Sequence, residues 1–108
     1  TNMSAKDLGS LFKQAQEMQS KMADVQRDLA EKKVEVSTGG GMVKIVANGV
    51  NEIISVHIDD ELINMNDREV LEDLITGAIN EVHRKVKELA QEEMTRFTGG
   101  IKIPGLFP

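Results

Sequence analysis

The chain has 108 residues, the size of one domain, and its 13 basic and 18 acidic residues give a formal net charge of -5. It has no cysteine, which excludes a disulfide scaffold, a thiolate zinc site and a cysteine nucleophile. No apolar run approaches the ~20 residues that span a bilayer. We therefore expect a cytoplasmic protein with no membrane partner, folded as a single domain over residues 1–108, with Met3 as its natural start.

Apolar residues at alternating spacings of three and four predict a long first helix from Asp7 to about Lys33. They occupy heptad positions a and d and are Leu8, Leu11, Ala15, Met18, Met22, Val25 and Leu29. At ~1.5 Å per residue, this helix is ~40 Å long. A compact body of this size does not need such a length, so we expect part of the helix to project or to meet another chain.

The period changes to two between residues 34 and 58, which predicts three strands in an antiparallel meander. Gly39-Gly40-Gly41 separates the first two strands and is interpreted as a turn. Asn48-Gly49 lies between two β-branched runs and predicts a two-residue type I′ hairpin turn, because that turn needs positive φ at both central positions.

A second long helix is predicted to open near Asn66 or Asp67, with Glu69 placed as in a capping box. It should end at about Phe97, before two glycines. Its apolar stripe consists of Leu71, Leu74, Ile75, Ala78, Val82, Val86 and Leu89. The apolar tail at 101–108 is either an ordered flap or a flexible end. The fold class is α+β: a long N-terminal helix, a three-stranded antiparallel β-meander and a long C-terminal helix.

The residues offer little for catalysis. His57 and His83 fall on different elements, and neither belongs to a recognisable catalytic spacing. His57 shares a strand face with Asp59, which permits a weak divalent site, but a solvated strand end is the simpler interpretation. We expect a protein that is not an enzyme and that takes no cofactor, metal or small-molecule substrate.

Charge is unevenly distributed along the chain. Residues 59–79 hold seven acids and a single base, Arg68, whereas the other 87 residues hold 12 bases and 11 acids. An anionic partner is therefore confined to faces outside the acidic segment.

Two groups of basic and polar residues are candidates for phosphate contact. The first-helix group is Lys13, Lys21, Arg27, Lys32 and Lys33, and the second-helix group is Asn80, Arg84, Lys87 and Gln91. The second group shares one helix face, together with His83, and amides and cations of this kind bind phosphates and base edges. An ordinary solvated face remains the alternative. The absence of Tyr and Trp disfavours single-strand stacking and favours duplex DNA.

Several segments together resemble the YbaB/EbfC family of bacterial nucleoid-associated proteins. They are residues 13–22 (KQAQEMQSKM), 39–44 (GGGMVK), Asn48-Gly49, 56–59 (VHID), 71–75 (LEDLI), Gly99-Gly100 and 104–107 (PGLF). The resemblance implies a homodimer, intertwined or associated through its sheets, from which long helices project like the arms of tweezers. It also implies binding of double-stranded DNA, a place in the nucleoid and a role in nucleoid organisation or gene expression.

A protein-interaction module is the alternative function. Here the methionine-rich seam of the first helix and the apolar tail would dock a helix of another protein, with Met18 and Met22 as an adaptable surface. Exposure of the seam distinguishes the two functions, because a second copy of the chain that covers it leaves little surface for a different partner.

Overall fold

The computed structural model of the protein describes residues 4–98. In chain order its elements are α1 (Ala5–Glu31), β1 (Lys33–Thr38), a 3-10 turn (Gly39–Gly41), β2 (Val43–Asn48), β3 (Ile53–Ile58), α2 (Asp60–Asn64) and α3 (Arg68–Thr98). The predicted α+β class, with two long helices and a three-stranded antiparallel meander between them, is confirmed. The predicted flap at 101–108 and the glycines at 99–100 lie outside the described residues.

The core lies between one face of the sheet and α3. The strand order is β1-β2-β3, and α3 packs mainly over β1 and β2. The buried residues of this core are Val36, Val43, Ile45, Ala47, Leu62, Ala78, Val82 and Val86. The predicted α3 stripe is therefore confirmed as the face that covers the sheet. β3 receives less cover, and every residue from Ile53 to His57 is exposed.

α1 is anchored to this body only near its C-terminal end. Val25 and Leu29 are its buried residues, whereas every residue from Ser4 to Lys21 is exposed. The described residues extend 72 × 23 × 20 Å, so the helix projects as the sequence predicted. Ser4 caps it, since its side chain accepts a hydrogen bond from the Asp7 backbone N–H and the Asp7 carboxylate accepts one from the Ser4 N–H.

The connection between β2 and β3 differs from the predicted two-residue hairpin. Four residues separate the strands, and Asn51 rather than Gly49 has a positive φ, of 67°. The Asn48 side chain shapes the loop by accepting hydrogen bonds from the backbone N–H groups of Val50 and Glu52. Gly49 is required for another reason: a Cβ there would lie 2.5 Å from the carbonyl oxygen of Leu29 on α1. The type I′ prediction is wrong because a tertiary contact, invisible in the local sequence, uses this glycine.

The start of α3 also departs from the prediction. The short helix α2 was not predicted, and it brings Leu62 into the core. Asn66 has a positive φ of 53°, and Asp67 caps α3 by accepting a hydrogen bond from the backbone N–H of Val70. The capping box predicted between Asn66 and Glu69 is therefore wrong by one residue, because the turn after α2 places Asn66 in the left-handed region.

Candidate nucleic-acid interface

α3 presents the predicted polar stripe on one exposed face. Asn80, Arg84, Lys87 and Gln91 are all exposed, and they lie on the side of the helix away from the buried Val82 and Val86. His83 belongs to the same face, and its Nδ1 lies 3.2 Å from Oδ1 of Asn51 in the β2–β3 loop. Helical spacing therefore brings this group together as predicted, next to a loop that contributes a further amide.

Within this stripe, the two cations have different surroundings. Arg84 is held on both sides, by Glu81 at 2.6 Å and by Glu88 at 3.0 Å. The hydrogen bond to Glu81 raises the pKa of Arg84, and the same bond lowers the pKa of the Glu81 carboxyl. Lys87 is exposed and makes none of the ion pairs found among residues 4–98. Lys87 is thus the cation of this face that has its full charge available to an anion.

The α1 group is divided in the same way. Lys13 and Lys21 are exposed on the projecting part of the helix, and neither takes part in an ion pair within the described chain. Arg27 lies closer to the body and pairs with Asp24 at 2.8 Å. An exposed pair of this kind is weak, so it costs little to open.

Lys32 and Lys33 lie where α1 passes into β1, and they are separated from the other α1 cations. Lys32 forms an ion pair with Glu93 of α3, which also pairs with Arg96. The hydrogen bond from Lys32 is the main reason that the pKa of the Glu93 carboxyl is lowered. Lys33 is exposed and has no such partner among the described side chains. Sequence reasoning missed the Glu93 contact because the two residues lie 61 positions apart.

The acidic segment is kept apart from these cations along α3. Its exposed carboxylates on α2 and the first turns of α3 are Asp60, Glu61, Asp67, Glu69, Glu72 and Asp73. From Asp73 to Lys87, the helix rises about 21 Å at 1.5 Å per residue. That separation exceeds the ~8 Å Debye length at physiological salt, so the acidic end repels an anion at Lys87 only weakly.

Other binding chemistry finds no support in the described part of the chain. His57 is exposed, and Asp59 precedes α2 as its N-cap residue. No group of three or more metal-ligating side chains occurs within residues 4–98. Nor does any helix in this range have the length and apolar character that crossing a membrane requires.

Comparison with known proteins agrees with this arrangement. The YbaB/EbfC DNA-binding family matches residues 3–101. The nucleoid-associated protein DP1429 of Desulfotalea psychrophila is 46% identical over 100 residues, which cover 93% of this chain and 94% of that protein. A nucleoid-associated protein of Ruminiclostridium cellulolyticum is 47% identical over 102 residues, 94% of this chain and 89% of that protein.

The fold has a counterpart among solved structures. The crystal structure of the uncharacterized protein HP0035 from Helicobacter pylori matches with a TM-score of 0.73 at 24% identity, over 90% of this chain and 99% of that one. That family is named for DNA binding and not for a reaction. From the match over nearly its whole length and from relatives near 45% identity, the chain belongs to the YbaB/EbfC DNA-binding family.

Proposed function

We propose that this protein binds double-stranded DNA as a homodimer and acts in the organisation of the nucleoid or in gene expression. The contacts are made by the projecting part of α1 and by the exposed stripe of α3. Lys13, Lys21 and Lys87 hold phosphates, while Asn80 and Gln91 add hydrogen bonds. Lys33, Arg27 and Arg84 contribute at the edges of the site, and Lys32 does so through the charge that its ion pair leaves.

The observation that carries this proposal is the set of exposed lysines without carboxylate partners. Lys13, Lys21 and Lys87 lie on helices whose other cations, Arg27 and Arg84, are paired with acids. Unpaired cations release the counterions of DNA at no cost in broken ion pairs. The chain's net charge of -5 opposes approach of DNA at long range, so binding is modest and depends strongly on salt.

The homodimer is supported by the apolar surface that the single chain leaves uncovered. Val56 pairs with buried Ile45, so its side chain points to the core side of the sheet, yet it is 52% exposed. β3 is also an edge strand whose outer side has no partner strand. An exposed apolar edge strand is a site for association with another chain. A second copy that packs against β3 would bury this face and leave two α1 helices as paired arms.

Fluorescence anisotropy with a labelled ~30-base-pair duplex tests the DNA contacts. The variant Lys13→Gln/Lys21→Gln/Lys87→Gln removes the proposed contacts. Lys6→Gln/Lys44→Gln/Arg68→Gln is its control, because it removes the same charge from exposed positions outside the site. At about 0.5 kcal/mol per exposed charge contact, the first variant should bind roughly tenfold more weakly than the control. Equal losses in the two variants would contradict the assignment of the site.

The same assay distinguishes duplex from single-stranded DNA. A single strand of the same length should bind more weakly than the duplex, since the chain has no Tyr or Trp on which bases stack. Tighter binding of the single strand would overturn the duplex proposal.

The protein-interaction alternative is favoured by one observation, the exposure of the α1 seam. Phe12 is 71% exposed and Met18 is 53% exposed. If the second copy covers this seam, hydrogen peroxide will oxidise Met18 slowly in the dimer, as measured by mass spectrometry. Oxidation as fast as in an unfolded peptide would leave the seam free for a different partner.

A further inference from the structure

One carboxylate joins the end of the projecting helix to α3. Glu93 is 7% exposed, and its Oε1 accepts hydrogen bonds from Nζ of Lys32 and from Nη2 of Arg96. Lys32 is the C-cap residue of α1, and its backbone N–H donates to the carbonyl groups of Asp28 and Leu29. Among residues 4–98, the pair Lys32–Glu93 is the one ion pair that joins two different elements.

Little else fixes the direction of α1. The residues that it buries are Val25 and Leu29, while Met94 is buried on the facing part of α3. From Val25 to Leu8 the helix extends about 26 Å as a lever without support from its own chain. A tilt of about 10° at the junction therefore moves the outer end of the helix by about 4–5 Å, an amount comparable with the spacing of successive phosphates. Small changes at Glu93 are thus amplified at Lys13.

The charge of Glu93 suits it to this task. A buried carboxylate is costly unless it is paired and hydrogen-bonded, and here one oxygen is shared by two cations. The hydrogen bond from Lys32, with the nearby charge of Arg96, lowers the pKa of Glu93, so the group stays ionised at neutral pH. Glu92, its neighbour in sequence, is exposed and makes no ion pair within the described chain. The two adjacent acids therefore differ in role although they carry the same charge.

We propose that Glu93 is a positioning residue that sets the direction of the α1 arm and thereby the affinity of the protein for duplex DNA. It acts through Lys32 at the base of the arm and does not touch DNA itself. This inference rests on the proposed function, because it concerns how the same site is held in its binding geometry.

Opposite signs of two effects make the inference testable. Glu93→Gln removes one negative charge, which by itself strengthens attraction to DNA. It also breaks the charged link, which should misplace the arm. Glu92→Gln makes the same change in charge at an exposed position and is the matched control. We expect Glu92→Gln to bind as tightly as the unsubstituted protein or more tightly, and Glu93→Gln to bind roughly five- to tenfold more weakly.

A distance measurement shows whether the arm has moved. Because the chain has no cysteine, Gln14→Cys and Ser37→Cys place one spin label on the arm and one on the sheet. Labelled chain diluted into unlabelled chain gives the distances within one copy by pulsed electron paramagnetic resonance. Glu93→Gln should broaden or shift the distance distribution, whereas Glu92→Gln should leave it unchanged. Circular dichroism at the assay temperature confirms that both variants are folded.

The outcomes separate this inference from the proposed function. Absence of binding by the unsubstituted protein would refute the proposed function and, with it, the effect on affinity. If that protein binds DNA, Glu93→Gln that binds as well as Glu92→Gln overturns the inference. Weaker binding with an unchanged distance distribution also overturns it, since the loss would not pass through the arm.

Discussion

Gly49 and Gly77 show how differently two glycines serve the same fold. A Cβ at Gly49 would meet the Leu29 carbonyl oxygen at 2.5 Å, a backbone atom that cannot turn aside. A Cβ at Gly77, inside α3, would meet Cγ2 of Thr38 at 3.6 Å, an ordinary contact. Gly77 was interpreted from the sequence as a mark of close packing, but the space beside it admits a methyl group. Its flexibility therefore only weakens the helix.

Opposite effects on stability follow for the two alanine variants. Gly49→Ala should lower the free energy of unfolding by about 1–3 kcal/mol, because the loop must move away from α1. Gly77→Ala should raise it by about 0.5–1 kcal/mol, because alanine is the better helix former. Urea denaturation measures both. A stabilising Gly49→Ala would show that the approach of the loop to α1 is looser than described.

The lowered pKa of Glu93 predicts how stability depends on pH. A carboxyl whose pKa is lower in the folded chain stabilises the fold above its ordinary pKa of 4.5, and this contribution is lost as pH falls through the folded value. Glu93→Gln should therefore be less stable than the unsubstituted protein by about 1 kcal/mol at neutral pH, allowing for the partial exposure of its partners. The difference should shrink below about pH 4.5. A difference that is constant down to pH 2 would contradict the role of the ionised carboxylate.

At the scale of elements, β3 is the strand that the single chain leaves incomplete. Its side chains up to His57 are exposed, although Val56 faces the core side and pairs with buried Ile45. The strand also forms the edge of the sheet. An apolar face and an open edge on one strand are consistent with a second copy packing there.

A lysine on this face should separate the dimer. Val56→Lys places a charge in the proposed interface, whereas His57→Lys places one on the opposite face of the same strand, where Lys44 already lies. Sedimentation equilibrium should show a weaker dimer for Val56→Lys by at least tenfold in Kd, on about 1.4 kcal/mol for burying an unpaired charge. His57→Lys should remain dimeric. If both variants stay dimeric, the interface lies elsewhere.

Periodicity predicted the long elements because it reports which face of each element is buried. The α1 seam, the three strands and the α3 stripe follow from spacing alone, and each appears where expected. Periodicity failed where a contact from elsewhere decides the conformation. Gly49 lies against α1, and Asn66 follows a five-residue helix too short to show a period.

The candidate site was predictable to a similar extent. Helical spacing placed Lys87 correctly on an exposed face of α3, because all the residues involved lie on one element. Which cations are free was only partly visible. Neighbouring acids identify the partners of Arg27 and Arg84, but the partner of Lys32 lies 61 residues away. Such a pairing depends on how two helices meet, which no local pattern encodes.

At the scale of the whole molecule, shape and charge act together. The described chain is 72 Å long, and its unpaired cations Lys13 and Lys21 lie on the arm that creates this length. The acidic segment lies on α2 and the first turns of α3. A protein with a net charge of -5 can thus approach DNA with its basic arm while its acidic end stays away.

The most direct test of this account is the salt dependence of duplex binding, measured by anisotropy between about 20 and 200 mM salt. Each phosphate contact contributes about 0.9 to the slope of log K against log salt concentration. Lys13→Gln/Lys21→Gln/Lys87→Gln should therefore flatten the slope by about 2.7 relative to the unsubstituted protein. Lys6→Gln/Lys44→Gln/Arg68→Gln should leave the slope nearly unchanged. An equal slope in all three proteins would contradict the claim that these unpaired lysines hold the DNA.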